Sequence, residues 1–299
     1  MITVFGSTNL DQVGTVPRLP KPGETVAGGT FSMAPGGKGA NQALAARRAG
    51  AEVRHVSAVG ADSFAEAALR LLKAEGVDLS ALKTVEGATG IAMIFVDAEG
   101  ENVIAMLPGA NGKLTPHDAE RALDGLGSAD VLMLQQEIPQ EATDRALELA
   151  RERGVTSILN TAPFLETTPA VAPKASVLIA NETEFALLAG HGEGGLDGAM
   201  RDWAARHDQT VIVTLGAQGA KAAQPQAALI HVPAYPVIPL DTVGAGDTFC
   251  GYLAAGLAAG LDLEAAMRRA VIAASLTCLK SGAQPAIPHS GDVEKASAA

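Results

Sequence analysis

The stretch "SVLIANETEFALLAG", residues 176–190, decides how this chain is to be folded. Its first part is apolar at every position from Val177 to Ala180. Successive side chains of a strand point to opposite faces, so a strand of this kind is covered on both sides. From Thr183 the apolar residues return at helical spacing, after a polar crest of Asn181, Glu182, Thr183 and Glu184. A doubly buried strand that passes directly into a helix is the building unit of a parallel sheet.

The unit recurs along the chain. Apolar runs at 2–7, 53–60, 130–137, 156–162 and 210–216 read as further strands, and helical patterns lie at about 39–49, 64–75, 141–153, 198–206, 247–260 and 263–279. The pattern predicts an α/β fold, a three-layer α/β/α domain with a mostly parallel central sheet, drawn from residues 1–11, 36–88 and 108–299. Two segments break the rhythm. Residues 12–35 hold Pro17, Pro20, Pro22, Gly23, Gly28 and Gly29, and residues 89–107 read as a hairpin turning at Asp97–Gly100. Both are expected to form a small β lid. Its hairpin strand alternates Ile91, Met93 and Phe95 with Ala92, Ile94 and Val96, apolar on either face, which predicts a homodimer joined through the lids. The tail after Asp292 is expected to fray.

Composition narrows the function. Of 299 residues 47% are hydrophobic, enough for a large core, while the aromatic fraction of 3% and a net charge of −11 argue against a nucleic-acid partner. No run is long and uncharged enough for a membrane span, and the start "MITVFGSTNLD" is unlike a signal peptide, so a cytoplasmic protein is expected. Cys250 and Cys278 read as buried reduced thiols, and His55, His117, His191, His207, His231 and His289 as surface or loop residues without ligand spacing.

Ligands of open parallel sheets bind beyond the carboxyl ends of the strands. Five runs here end in polar groups: Asn9 and Asp11, Glu137, Asn160, Asn181 with Glu184, and Thr214 with Gly216 and Gly219. Asn9, Asp11, Asn41 and Glu137 suit the vicinal hydroxyls of a polyol, because carboxylates accept and carboxamides both donate and accept. "PGGKGANQA" at 35–43 opens a helix with Lys38 and Asn41 as donors; it lacks the spacing of a P-loop and is otherwise a glycine-rich turn. "DTVGAGDTF" at 241–249 runs small residues into a helix N-terminus, where unpaired amides favour an anion. Asp247 there is either a plain N-cap or a base beside a phosphate in transfer. "NETE" at 181–184 is equally a capped helix start or a site for hydrated Mg²⁺ or phosphate.

Taken together these motifs resemble the ribokinase family of sugar and nucleoside kinases over nearly the whole chain. The likeness rests on "GSTNLD" (6–11), "PKPGETVAGGTF" (20–31), "GGKGANQALAA" (36–46), "GADSFAEAAL" (60–69), "TGIAMIFVDAEGENVIAMLPGAN" (89–111), "NETE", "TLGAQGA" (214–220), "DTVGAGDTF" and "GAQPAIP" (282–288). It implies ATP-dependent phosphorylation of D-ribose at O5. Asp247 would be the base, and Gly244, Ala245 and Gly246 the anion hole. Sugar contacts would fall on Asn9, Asp11, Gly37, Lys38, Gly39, Asn41, Glu137 and Asp247. ATP contacts would fall on Asn181, Thr214, Leu215, Gly216, Ala217, Gln218, Gly219, Gly246, Asp247 and Val271, with Glu184 linked to Mg²⁺. An activating monovalent cation, K⁺, would use Asp241 and the positions Val243, Thr277, Lys280, Gly282 and Ala286.

Two positions depart from the family's pattern. Ala286 replaces a serine ligand, which implies weaker potassium activation, and Val271 replaces an adenine-side asparagine. Alternatives are a kinase for 2-deoxyribose, another pentose or an adenosine-like nucleoside, and a catalytically silent sugar-binding protein. A nucleotide-dependent dehydrogenase would need GxGxxG after the first strand, and "FGSTNLD" lacks it.

Overall fold

The computed structural model describes residues 1–190 and 194–298. The first eight strands are β1 (Ile2–Phe5), β2 (Asn9–Thr15), β3 (Phe31–Gly36), β4 (Val53–Val56), β5 (Ala58–Gly60), β6 (Lys83–Val85), β7 (Gly90–Val96) and β8 (Asn102–Leu107). They are followed by β9 (Val131–Leu134), β10 (Thr156–Asn160), β11 (Val177–Asn181), β12 (Thr210–Thr214), β13 (Ala220–Ala223) and β14 (Ile230–Val232). The helices are α1 (Lys38–Arg48), α2 (Phe64–Ala74), α3 (Pro116–Ala122), α4 (Gln140–Glu152) and α5 (Thr168–Val171). After them come α6 (Glu182–Ala189), α7 (Gly195–His207), α8 (Ala245–Ala258), α9 (Leu263–Thr277) and α10 (Ser290–Ala298).

Eight strands form the main sheet in the order β14-β13-β12-β11-β10-β9-β1-β4. All neighbours from β12 to β4 are parallel, and β13 and β14 close one edge antiparallel. Alternation along each strand assigns its side chains to two cores. Ile2, Val4, Val131, Met133, Ile158, Ile179 and Ile212 face the layer of α1, α8 and α9. Phe5, Leu132, Leu134, Leu159, Leu178 and Val213 face the layer that contains Ala119, Leu147, Phe185 and Trp203. This double coverage is why the strands read as continuous apolar runs.

A second sheet, β3-β2-β7-β8, stands apart from the first. The two irregular segments therefore do meet: β2 pairs in parallel with β7 from Asn9↔Gly90 to Thr15↔Val96, and β3 and β8 add antiparallel on either side. Strand β2 begins at Asn9, so Asn9 and Asp11 sit on this sheet and not on the main sheet.

Three readings of the sequence are corrected. The run at 53–60 is two strands: β4 pairs with β1, and after Ser57 the chain leaves the main sheet to pair β5 with β6. The tail does not fray at Asp292 but is helical through Ala298, with Val293 packed into the core. His55 is not at the surface; it is fully buried, its Nε2 2.9 Å from Thr8 Oγ1 and its Nδ1 3.2 Å from the Val4 carbonyl. Burial pushes its pKa down to about 4, so the ring is neutral at pH 7. His191 lies outside the described residues. Cys250 is buried as expected, whereas Cys278 is only half-buried at the end of α9. Among the described residues no helix is long and apolar enough to cross a membrane.

Candidate active site

In the main sheet the chain steps from β1 to β4 on one side and then to β9 on the other, so strand order reverses between β1 and β9. Such a reversal opens a crevice at the carboxyl ends of the strands. The loop after β1 and the loop after β9 meet there: Ser7 Oγ donates to Glu137 Oε2 at 2.5 Å. The same carboxylate oxygen accepts the backbone N–H of Lys38 at 3.0 Å, where α1 begins. Gly39 makes this approach possible, since a Cβ on it would lie 2.5 Å from the Ser7 nitrogen. Asn9 is oriented by Asn111, whose Nδ2 donates to Asn9 Oδ1 at 2.7 Å and whose Oδ1 accepts the Thr8 N–H at 2.9 Å.

Asp247 lies in the first turn of α8 and is 8% exposed. Its Oδ2 accepts from Asn41 Nδ2 at 2.9 Å and its Oδ1 from Gln42 Nε2 at 3.0 Å. Both donors come from α1, which packs directly on α8. A Cβ on Gly251 would sit 2.5 Å from the Ala45 Cβ and 2.7 Å from the Ala46 nitrogen. The small residues of α8 thus let the two helices approach until Asn41 and Gln42 reach the carboxylate. The helix is preceded by Gly244 at φ 79°, and no side chain caps its first turn. The Ala245 N–H donates to the Thr242 carbonyl at 3.3 Å, so among the described residues the Gly246 and Asp247 amides are the ones left open to an anion, next to a carboxylate that acts as no cap.

The electrostatics tie the two halves of the cleft together. Burial is the main cause that raises the Asp11 carboxyl to a pKa of about 7; the nearby Glu137 and Asp247 add to it and Lys38 opposes it. Glu137 is raised in the same way by burial, against the pull of Lys38 and the Ser7 hydroxyl. Burial disfavours the charge on Lys38, yet Asp247, Glu137 and Glu184 outweigh it and hold that amine above its ordinary value. Lys38 therefore stays charged and belongs to both sides of the cleft. A cavity of about 210 Å³ opens between Lys38, Asn160, Asn181, Glu184, Gly246 and Asp247.

A neighbouring, larger cavity of about 430 Å³ is lined by Thr214, Gly216, Ala217, Gly219, Gly246 and Val271, among others. Four expected nucleotide contacts do not line it: Asn181 and Asp247 line the smaller cavity instead, Leu215 is buried, and Gln218 is exposed, its carbonyl near His231 Nε2. "NETE" is a capped helix start. Asn181 and Glu184 form a reciprocal capping box at the start of α6 and also face the smaller cavity. Glu184 Oε2 accepts from Thr161 Oγ1 at 2.9 Å and from the Asn181 N–H at 3.1 Å.

Of the positions expected to hold a monovalent cation, Asp241 bridges two loops, its Oδ1 accepting the Val243 N–H at 3.0 Å and its Oδ2 the Gly282 N–H at 2.8 Å. Thr277 is buried with its hydroxyl on Thr248, Lys280 is exposed, and Ala286, 1% exposed, brings no side-chain oxygen. Both Asp241 oxygens are thus engaged by backbone amides, and the Thr277 carbonyl accepts the Lys280 N–H at 3.2 Å, so of the expected donor set Ala286 is the position that lacks its side-chain ligand. Among the described residues no three His, Cys, Asp or Glu side chains group around a metal position. Sequence reasoning missed Ser7, Gln42, Asn111 and Gln135. Each lies within a stretch singled out above, but its role depends on contacts 93 to 205 positions apart along the chain.

Comparison with known proteins identifies the family. Residues 1–290 match the pfkB family carbohydrate kinases. The chain is 39% identical over 294 residues to the ribokinase of Bacillus subtilis, covering 98% of each chain. It is 35% identical over 292 residues to the deoxyribokinase of Salmonella typhi, covering 96% of this chain and 95% of that one. A solved structure of ribokinase from Arabidopsis thaliana, complexed with ribose and ATP, superposes with a TM-score of 0.88 at 29% identity, over 99% of this chain and 97% of that one.

Proposed function

The chain belongs to the pfkB family of carbohydrate kinases, and from that premise we propose that it transfers the γ-phosphoryl group of ATP to the 5-hydroxyl of D-ribose, giving D-ribose 5-phosphate and ADP. One observation carries the reading. The buried carboxylate of Asp247 stands in the first turn of an uncapped helix, close enough to Asp11 and Glu137 to raise their carboxyls, and lines the smaller cavity, which shares Thr214 and Gly246 with the larger one.

The sugar is held by acceptors and donors already in place. Asn41 Oδ1 is buried without a partner, so a sugar hydroxyl can supply the missing hydrogen bond while Asn41 Nδ2 stays on Asp247. Asp11 and Glu137 accept from further hydroxyls, and Lys38 balances their charge. Asp247 takes the proton of the attacking hydroxyl as the oxygen closes on phosphorus. The open amides at Gly246 and Asp247 hold the oxygens of the moving phosphoryl group, and Lys38 adds a positive charge on the same side. Because such transfer is mostly positioning and charge stabilisation, one base and these donors suffice. The nucleotide lies along Thr214, Gly216 and Gly219, with its base toward Val271. Glu184, whose Oε1 makes no hydrogen bond among the described residues, is the residue that would hold the hydration shell of Mg²⁺ bound with ATP, and that ion would supply positive charge to the phosphates. Potassium would be held by Asp241 and backbone oxygens at Val243, Thr277, Lys280 and Gly282, and would supply positive charge that supports the anion hole.

The β3-β2-β7-β8 sheet is assigned as a lid that closes over the sugar and as the surface of a homodimer. Phe31 (65%), Met33 (53%) and Ile104 (56%) are exposed on it, more apolar surface than a free sheet normally presents to water. A specific observation keeps 2-deoxyribose as the second reading: relatives that act on either sugar match at similar identity.

The test is a panel of ribose, 2-deoxyribose, other pentoses and adenosine with ATP and Mg²⁺. Ribose is expected to give the highest kcat/KM, and Asp247→Asn to lower kcat by about 10²–10⁴ while sugar binding persists. A ribose turnover below that of 2-deoxyribose would move the assignment to that sugar. Near-normal turnover by Asp247→Asn would remove its role as base.

A further inference from the structure

Behind Asp247 lies a chain of buried carboxamides that never reaches the cleft. Gln42 and Gln135 are both fully buried. Gln135 Nε2 donates to Gln42 Oε1 at 2.6 Å, and Gln42 Nε2 donates to Asp247 Oδ1 at 3.0 Å. The second hydrogen of Gln42 Nε2 lies toward Asn160 Oδ1 at 3.3 Å. At the far end Gln135 Oε1 is buried with no partner, pressed against Gly6 so closely that a Cβ there would be 2.1 Å away.

The direction of every amide follows from the carboxylate. An ionised carboxylate only accepts, so Gln42 must turn its amino group toward Asp247. Its carbonyl then faces Gln135, which must turn its own amino group inward and leave its carbonyl orphaned against Gly6. A buried acceptor without a partner costs stability and calls for an explanation. From these contacts we infer that Gln42 and Gln135 are positioning residues: Gln135 sets the orientation of the Gln42 amide, and Gln42 holds the Asp247 carboxylate in the plane that leaves a lone pair aimed at the sugar hydroxyl. Neither residue touches substrate. The inference rests on Asp247 being the base, as proposed above.

Isosteric variants separate this relay from simple packing. Gln135→Glu replaces the inward amino group by an acceptor. It therefore draws the Gln42 amino group away from Asp247 and turns the Gln42 carbonyl toward the carboxylate. Gln135→Met removes the hydrogen bond without imposing the wrong orientation, because Asp247 still dictates which way Gln42 points. The expected kcat loss is about ten- to a hundredfold for Gln135→Glu and for Gln42→Met, and under about threefold for Gln135→Met. The KM values for sugar and ATP, and the sugar Kd by calorimetry, are expected to hold within about twofold in all three, since no binding contact is altered. Equal losses in the two Gln135 variants, or a kcat for Gln42→Met within twofold of the parent at unchanged sugar Kd, would overturn the relay. Should Gln135→Glu fail to fold, Gln42→Met decides alone, and a rise in KM without a fall in kcat counts against the inference. Asp247→Asn measured alongside keeps the outcomes apart: if that variant turns over normally, the proposed base is wrong, whereas a dead Asp247→Asn with a fully active Gln42→Met rejects only the relay.

Discussion

The ionisation of Asp11 can be read from stability without any catalytic assay. Its carboxyl is raised from an ordinary 3.8 to about 7, first by burial and then by the facing Glu137 and Asp247. In the unfolded chain the group ionises near its ordinary value, so between the two pKa values the folded protein binds a proton that the unfolded chain has released. Stability therefore falls as pH rises through this window and is lowest above pH 7. At 1.36 kcal/mol per unit, the full shift costs the folded state at most about 4 kcal/mol, and the interval from pH 5 to pH 7 accounts for about 2.7 kcal/mol of it. Asp11→Asn keeps the shape, removes the charge and should abolish this slope. The assay is thermal unfolding of the ligand-free protein at pH 5, 6, 7 and 8. At about 2–4 °C per kcal/mol for a chain of this size, the Tm advantage of Asp11→Asn over the parent should widen by roughly 5–10 °C between pH 5 and pH 8. The same variant should lose sugar affinity, because the carboxylate is there to accept hydroxyls. A Tm difference constant to within a degree across that range would refute the placement of Asp11 in a shared acidic pocket.

Three further outcomes are expected. Asn111→Ala leaves the buried Thr8 N–H without an acceptor and Asn9 without its orienting donor; it should cost about 1–3 kcal/mol in urea unfolding and raise the sugar KM more than it lowers kcat. Ala286→Ser supplies the missing oxygen behind the Asp241 loop, so initial rates should climb more steeply with potassium than in the parent; equal potassium curves would dismiss the deficit as a cause. Ile104→Asp, placed on the exposed strand of the second sheet, should shift sedimentation at micromolar concentration toward the monomer, and a parent already monomeric there would rule out pairing through that sheet.

The sequence by itself determined the layered fold and which polar residues end its strands. Runs such as Val177–Ala180 are apolar on both faces only because two helical layers cover them, so the parallel sheet was legible from local pattern. Gly244 and Gly246 at the start of α8 were legible as a place for an anion for the same reason, since backbone freedom and helix polarity are local properties, whereas Asp247 read as either a cap or a base. Tertiary structure decided what depends on contacts far apart in the chain. Nothing near Gln42 foretells a carboxylate 205 positions away, nothing near Asn9 foretells Asn111, and the parallel pairing of β2 with β7 joins segments that look unrelated in order. The break at Ser57 and the helical end at Ala298 were also set by packing partners rather than by propensity. Local sequence fixes which residues can do chemistry, through residue type and backbone geometry. Only the folded chain brings those groups within 3 Å of one another and strips away the water that would otherwise satisfy them.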